Sequence, residues 1–407
     1  MITRKERVVK MKYAELRKNV QNWSKYPGTE IMESAPLIHR GFPGTFNSSF
    51  IEYHELDRLG GYFNTTNKDF FFSTIQSCIR IQDFDFLSKN SSWTYLGVFE
   101  MSTLTGSLHF KEKPDYYKLQ KKQASELIRF FENLGISRKR VYPTYHAGGT
   151  IRDVTNGTYS FDFVVPEDTL SKEAFLMAGV PEENLLPDRT RDTFLSLHLH
   201  RPTPFGYRNE ILVNVGTKEK KRFVDCATVE YVLWKPLYNG PETAPHIYGL
   251  APMTDGWSIV IVGLERLYMV ANGLKRVQDV DYIKPFYDYF EETTGKRDFL
   301  AGESLRALHR IYSDILQFDL SGMLSKNRKE KIKILVKNIV SAGLDFRQIE
   351  ELLNIHVKHQ PWHEVLGEGI EPTLERIKEH FSGSSYVRSL VKKERHKKYI
   401  LTHTKRP

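Results

Sequence analysis

Apolar positions along the chain follow two rhythms. Over residues 116–134, Leu119, Leu127, Ile128, Phe131 and Leu134 recur at helical spacing with Lys and Glu opposite, which predicts an amphipathic helix. Denser apolar runs predict strands at 71–81 (FFSTIQSCIRI), 93–102 (WTYLGVFEMS), 160–165 (SFDFVV), 194–200 (FLSLHLH), 210–215 (EILVNV), 229–234 (VEYVLW) and 258–262 (SIVIV). The SKNSS and TLTGS segments that flank the second run read as loop. A helix follows the last strand at once, over 263–274, and beyond about residue 276 the pattern is almost wholly helical. Residues 1–25 read as a charged helix and 28–70 as short strands and turns. This order predicts an α+β protein: a mixed, mostly antiparallel sheet flanked by helices over 1–275, then a mostly helical domain over 276–407.

Composition narrows the class. Apolar residues at 40% and charged residues at 27% give the balance of a soluble globular chain, and 13% aromatics can fill a sizeable core. The net charge of +9 favours polyanions, nucleic acid before membrane surface, and also serves solubility alone. Two cysteines, Cys78 and Cys226, exclude a disulfide framework and a cysteine-based zinc site. No apolar run reaches the length of a membrane span, and the basic start MITRKERVVKMKYAEL has no continuous apolar stretch. The expectation is a cytoplasmic protein with no membrane partner.

The most informative stretch is SIVIVGLERLYMV (258–270). An apolar strand runs into Gly263, where backbone can approach a ligand closely, and a helix opens on Leu264, Glu265 and Arg266. An Arg in the first turn of such a helix can lie over a triphosphate or a purine ring. The same pattern also suits an ordinary strand–helix junction with a surface Glu–Arg pair.

Strand-Gly-Leu-Glu-Arg-Leu resembles the third signature of class II aminoacyl-tRNA synthetases of the alanyl type. Other segments fall in the family's order: QSCIR (76–80) with Asp85 beyond it, VFEMS (98–102) as the second signature, AGVPEENLLP (178–187), TPFGYRNEILV (203–213) and RFVDCATVEYV (222–232). SLRALHRIYSDIL (304–316) and SKNRKEKIKILVKNIV (325–340) resemble segments of its tRNA-recognition helices. Each piece is short, and their colinearity over roughly 70–342 carries the likeness.

The resemblance implies a class II synthetase-type antiparallel sheet and an ATP-dependent ligase that forms an aminoacyl adenylate, with ATP and Mg²⁺ as cofactors. Catalysis of that kind is positioning and electrostatics. Carried over by position, Glu100 contacts the adenine edge, Arg266 packs on adenine and the terminal phosphate, and Glu265 orients Arg266 or a Mg²⁺. Arg80 lines the same cleft. The second-signature Arg that grips the α-phosphate falls at Thr94, which leaves Arg80 or Lys89 to supply that charge. In the amino-acid pocket the family's Trp falls at Leu195, its Asn at Thr228, its Val at Glu230 and its acidic residue at Ile259, with Asp255 the nearest replacement. Such a pocket points away from alanine. Periodicity leaves open whether Glu230 faces the pocket or solvent; facing inward, it needs a cation or a donor.

Two further features concern metal and phosphate. His356, His359 and His363 in IHVKHQPWH, and His198 and His200 in LHLH, have spacings that metals use, but Pro361 breaks the first and no Cys partner follows. A solvated turn and polar strand residues are the better readings, and no metal ligand is assigned. In the basic run, Ile332, Ile334, Leu335 and Ile339 suit one buried face, which leaves Lys326, Arg328, Lys329, Lys333 and Lys337 for phosphate contact. The implied partners are an amino acid and an acceptor, which is tRNA, a carrier protein or a small amine. The rival reading is a non-catalytic paralogue that binds tRNA or a protein partner, and the editing domain of the family is expected to be missing.

Overall fold

Ten strands join in one sheet in the order β1-β2-β3-β10-β9-β8-β4-β5, with β6 beside β4 and β7 beside β8. The strands are β1 (Thr29–Ile31), β2 (Phe70–Ile79), β3 (Val98–His109), β4 (Val141–Ile151), β5 (Phe163–Glu167), β6 (Leu186–Asp188), β7 (Phe194–Ser196), β8 (Phe205–Asn214), β9 (Phe223–Asn239) and β10 (His246–Gly263). Pairing is antiparallel from β3 through β10, β9 and β8 to β4 and β5, while β1–β2 and β4–β6 are parallel. This computed structural model describes residues 11–23, 28–38, 46–48, 70–88, 92–109, 113–151, 162–196, 203–241 and 246–382. The α+β expectation, with a mostly antiparallel sheet, flanking helices and a helical C-terminal region, is met.

The chain divides into two units, one of residues 1–35, 49–77 and 99–277, the other of 36–48, 78–98 and 278–407. In the first, helices α1 (Tyr13–Trp23), α3 (Lys113–Asn133), α4 (Thr169–Met177) and α5 (Leu264–Ala271) accompany the sheet. The amphipathic reading of α3 is correct: Leu119, Leu127, Ile128 and Phe131 are all buried. Side chains alternate across a strand, so the contacts of β8 and β10 identify the helix-covered face. Ser258 hydrogen-bonds Gln123 of α3, and Asn209 donates to Asp168, the residue that caps α4. Ser258, Val260, Asn209 and Tyr231 therefore look toward helices, and Ile259, Ile261, Arg208 and Glu210 toward the other face.

Some local expectations fail for identifiable reasons. TLTGS is the body of β3, not a loop: Thr and Leu suit a pleated strand, and Gly106 is accommodated because an added Cβ would lie 2.5 Å from the Phe71 ring. WTYL forms a turn over Ser92–Thr94 before β3 begins. Strand β4 (VYPTYHAGGTI) hides behind Pro143 and a glycine pair, of which Gly148 has φ of 75°. Helix α4, with its Asp168 cap, was also not read from the sequence.

The second unit contains the short α2 (Phe84–Leu87) and then α6 (Lys284–Thr294), α7 (Phe299–Gln317), α8 (Lys326–Ser341), α9 (Phe346–His359) and α10 (Ile370–Ser382). Its centre is α7, buried over most of its length. Glu303 of α7 is wholly buried and accepts hydrogen bonds from the amides of Gly97 and Val98, the Tyr287 hydroxyl and Arg306 Nη1, the last at 2.6 Å.

One turn on, His309 and His356 meet through their Nδ1 atoms at 2.9 Å, and His309 Nε2 lies 2.7 Å from the Leu366 carbonyl. A carbonyl only accepts, so His309 carries its proton on Nε2 and its Nδ1 accepts from His356. His356 is thus a buried partner in a neutral pair and not part of a solvated turn. Burial pushes His309 down to about 4, and burial with His309 as neighbour also lowers His356. A folded pKa below the unfolded value of about 6.5 gives stability that is complete above that pH and is lost as pH falls toward 4. At about 1.4 kcal/mol per unit, His309 is expected to cost about 3 kcal/mol across that window. Urea unfolding at pH 7 and pH 4.5 checks this: the acid-induced loss should shrink in the H309L/H356L double variant, and an equal loss would mean that the pair is not buried neutral.

Candidate functional site

The register of β8 and β9 sets Arg208 opposite Glu230 and Glu210 opposite Thr228. A β-bulge between the Ile211 and Leu212 pairings brings Asp225 opposite Leu212, onto the same face as Thr228 and Glu230. Ile259 and Ile261 of β10 pair with Glu230 and Thr228 from the other side and give that face an apolar floor. At the end of β10, Gly263 leads into α5. An added Cβ at Gly263 would meet only the Cys226 carbonyl at 3.9 Å, so the junction leaves open space there.

These side chains form a polar chain along one face. Arg208 Nη2 lies 2.8 Å from Glu210 Oε1, and its Nε 3.6 Å from Glu230 Oε1. Thr228 Oγ1 donates to Glu210 Oε2 at 3.1 Å. Asp225 lies near Glu210 and accepts from Arg266 Nη1 at 2.9 Å. Burial would lower the Arg208 guanidinium, but Glu210 and then Glu230 outweigh it and raise it. Burial first, and the Asp225 carboxylate second, push the Glu210 carboxyl above the usual carboxylate range. The face therefore offers two guanidiniums able to grip carboxylate or phosphate, and carboxylates able to receive an ammonium.

The site residues expected from the sequence separate. Thr228, Glu230 and Arg266 belong to this chain, with Glu230 only 7% exposed. Glu100 and Glu265 do not: alternation turns Glu100 toward the helices, where Tyr13 donates to both carboxylates at 3.0 and 2.9 Å. Arg17 grips Glu100 with two hydrogen bonds, and Glu265 accepts from the Glu100 amide. Glu265 and Arg266 are about 100° apart around the helix, so one closes this buried knot while the other reaches Asp225. Leu195 stands opposite Gly206 on β7, and Asp255 opposite His109 on β10. Arg80 belongs to the second unit and donates to the Ser48 carbonyl at 3.3 Å. Lys89, His198 and His200 lie outside the described residues.

On α8, Lys326, Lys329, Lys333 and Lys337 are exposed, with Lys333 paired to Glu330 at 2.6 Å. Arg328 is a correction: it is 1% exposed and donates to the Met323 carbonyl, so it is a packing residue unable to reach a phosphate. Ile332, Leu335 and Ile339 form the buried face as expected, while Ile334 is 54% exposed and Val336 is buried in its place.

Sequence reasoning missed Arg208, Glu210 and Asp225. The first two share strand parity, a signal that was present, whereas the bulge that re-aims Asp225 leaves no trace in the pattern. Among the described residues no group of three or more His, Cys, Asp or Glu is placed to hold a metal ion, and no helix is long and apolar enough to cross a membrane. The neighbouring Glu210 and Asp225 carboxylates are enough for Mg²⁺ only if phosphate oxygens and water complete its shell.

No protein family and no curated protein matches the sequence. Among solved structures, pyrrolysyl-tRNA synthetase from Desulfitobacterium hafniense is similar over 66% of this chain and 72% of its own, with 12% identity and a TM-score of 0.30. A second structure, of Desulfitobacterium hafniense PylSc, a pyrrolysyl tRNA synthetase, covers 66% and 71% with 12% identity and a TM-score of 0.28. Similarity this loose carries no function.

Proposed function

We propose that the chain is an ATP-dependent ligase of the class II synthetase type, which activates an amino acid other than alanine as its adenylate. The observation that carries this reading is the gathering of Glu230, Arg208, Glu210, Asp225 and Arg266 on one face of the antiparallel sheet beside the Gly263 junction. In the reaction, a substrate carboxylate oxygen attacks the α-phosphorus of ATP and pyrophosphate leaves. Arg266 holds phosphate, Arg208 steadies the negative charge of the carboxylate side, and Glu230 receives the amine. Mg²⁺ on Glu210 and Asp225 would neutralise phosphate charge. Lys326, Lys329, Lys333 and Lys337 contact a nucleic-acid acceptor, with residues 276–407 as the acceptor-binding domain.

Screening all standard amino acids for amino-acid-dependent ATP–pyrophosphate exchange tests the proposal. Alanine as the strongest substrate would overturn the pocket argument. The turn at Thr94, where the family has its α-phosphate Arg, favours one second reading: a paralogue that binds nucleotide or partner without catalysis, for which no amino acid supports exchange.

Glu230 shapes specificity. With Thr228 beside it over the Ile259–Ile261 floor, it suits a side chain with an apolar stem and a hydroxyl or basic end. E230V is expected to shift preference toward smaller apolar acids, by roughly 10- to 100-fold in the kcat/KM ratio, as mismatched buried polar groups generally do. An unchanged ratio would take Glu230 out of the pocket.

A further inference from the structure

Charge is unevenly distributed along the sequence. Of the net +9, residues 1–10 contribute +3 and residues 383–407 contribute +7, so residues 11–382 together carry −1. Against that nearly neutral background, two loops of the first unit bring cations together. One is the turn Arg138–Arg140 that precedes β4; the other is the β8–β9 hairpin tip, GTKEKKR over 216–222. They are neighbours because Val141 pairs with Val213, Arg140 Nε donates to the Asn214 carbonyl at 2.9 Å, and Lys221 Nζ lies 4.5 Å from the centre of the Tyr142 ring.

The hairpin tip is pinned by its own hydrogen bonds. Asn214 Oδ1 accepts from the Gly216 and Arg222 amides, both at 2.9 Å, and its Nδ2 donates to the Thr217 carbonyl. The Thr217 hydroxyl accepts from the Lys220 amide at 3.0 Å. Gly216 is needed for closure, since a Cβ there would fall 2.2 Å from the Lys220 carbonyl oxygen. Lys139, Lys218, Lys220, Lys221 and Arg222 are thus presented exposed on ordered backbone, and the ordering entropy of binding is correspondingly small. Acids temper the surface: Glu132 neutralises Arg138, Glu219 sits within the tip, and Glu182 and Glu183 are exposed on the turn whose Asn184 donates to the Lys139 carbonyl.

The chemistry of the patch selects its partner. It exposes no aromatic ring for a base to stack on: Tyr142 is 6% exposed, capped by Lys221 and packed edge-on against Phe223 at 5.0 Å. Residues 216–222 include no apolar side chain to enter a bilayer. What remains is a fixed row of point charges, which reads a phosphate backbone and not bases. We propose that the Lys139 turn and the Lys218–Arg222 hairpin tip form a docking surface for the phosphate backbone of duplex nucleic acid, distinct from α8. The inference stands whether or not the chain forms adenylates.

The test uses the full chain and a fluorescein-labelled 20-base-pair RNA duplex, titrated by anisotropy over a salt series without ATP. The K218Q/K220Q/K221Q variant is expected to flatten the slope of log K against log salt by about 2 to 3, since each lost phosphate contact removes about 0.9. Affinity near 0.15 M salt should fall about 10- to 100-fold. The charge-matched variant K275Q/K296Q/K358Q, on exposed lysines elsewhere, should change the slope by less than one. Equal losses in the two variants, or a slope unchanged in the first, would overturn the proposal. So would a patch-dependent preference for single-stranded oligouridine, or a loss confined to phosphatidylserine vesicles. Thermal unfolding of both variants confirms that each remains folded, and amino-acid-dependent exchange, measured separately, reports on the ligase reading alone.

Discussion

Truncation of Arg266 to alanine is expected to weaken ATP binding by about 30-fold to several thousand-fold while the protein stays folded. The side chain is partly exposed at 22%, stands in the first turn of α5 and pairs with the Asp225 carboxylate at 2.9 Å. Losing that contact alone is a minor matter for stability, because partly exposed ion pairs contribute about 0–1 kcal/mol. Losing a guanidinium that grips phosphate costs about 2–5 kcal/mol. The two readings therefore diverge in calorimetry, where ATP affinity should collapse and the unfolding midpoint should hardly move. R266K should recover part of the affinity, since it restores a point charge without the planar fork. Unchanged nucleotide affinity in a folded R266A protein would remove Arg266 from the site, and the ligase proposal would lose its phosphate anchor.

Replacing Glu303 by alanine is expected to have the largest effect on stability, about 3–5 kcal/mol. Breaking a buried pair strands the partner charge, and Arg306 is 1% exposed with Glu303 at 2.6 Å. The same substitution leaves the amides of Gly97 and Val98 without that acceptor, and the Tyr287 hydroxyl with the more distant Phe299 carbonyl at 3.5 Å. E303Q keeps an acceptor oxygen for the amides but loses the charge, and should fall between E303A and the parent. Differential scanning calorimetry reads the series. A drop in E303A of under about 1 kcal/mol would mean that Arg306 finds another partner at little cost.

Much of the architecture could be read from hydropathy. The strands at 229–234 and 258–262 and the helix at 116–134 announce themselves because burial on one or both faces forces a period of two or of 3.6. Their full lengths could not be read: β9 and β10 run to 17 and 18 residues, through polar stretches that only cross-strand pairing makes extended. Strand β4 was invisible because Pro and Gly argue for turns while its neighbours supply the hydrogen bonds that decide the matter. In the site, Thr228, Glu230 and Arg266 are marked by a resemblance, and periodicity leaves open the side that Glu230 faces. Six residues of strand cannot fix a face, whereas the pairing of Glu230 with Arg208 does. Glu100 illustrates the opposite case. Its signature suggested a nucleotide contact, but the Tyr13 and Arg17 that occupy it lie more than eighty residues upstream, and no local pattern marks them.

That buried knot also has a consequence in time. Tyr13 and Glu265 are 252 residues apart in sequence, yet they share a hydrogen bond. A ribosome adds roughly 5–20 residues per second, so α1 emerges roughly 12–50 s before the carboxylate that will hold it has been made. An isolated helix shorter than about 12–15 residues is marginal in water, and α1 has 11. For most of its synthesis the protein therefore carries its first helix as an undocked segment, with Leu16, Val20 and Tyr13 exposed. The sheet can close around that segment only after Gly263 has turned the chain into α5.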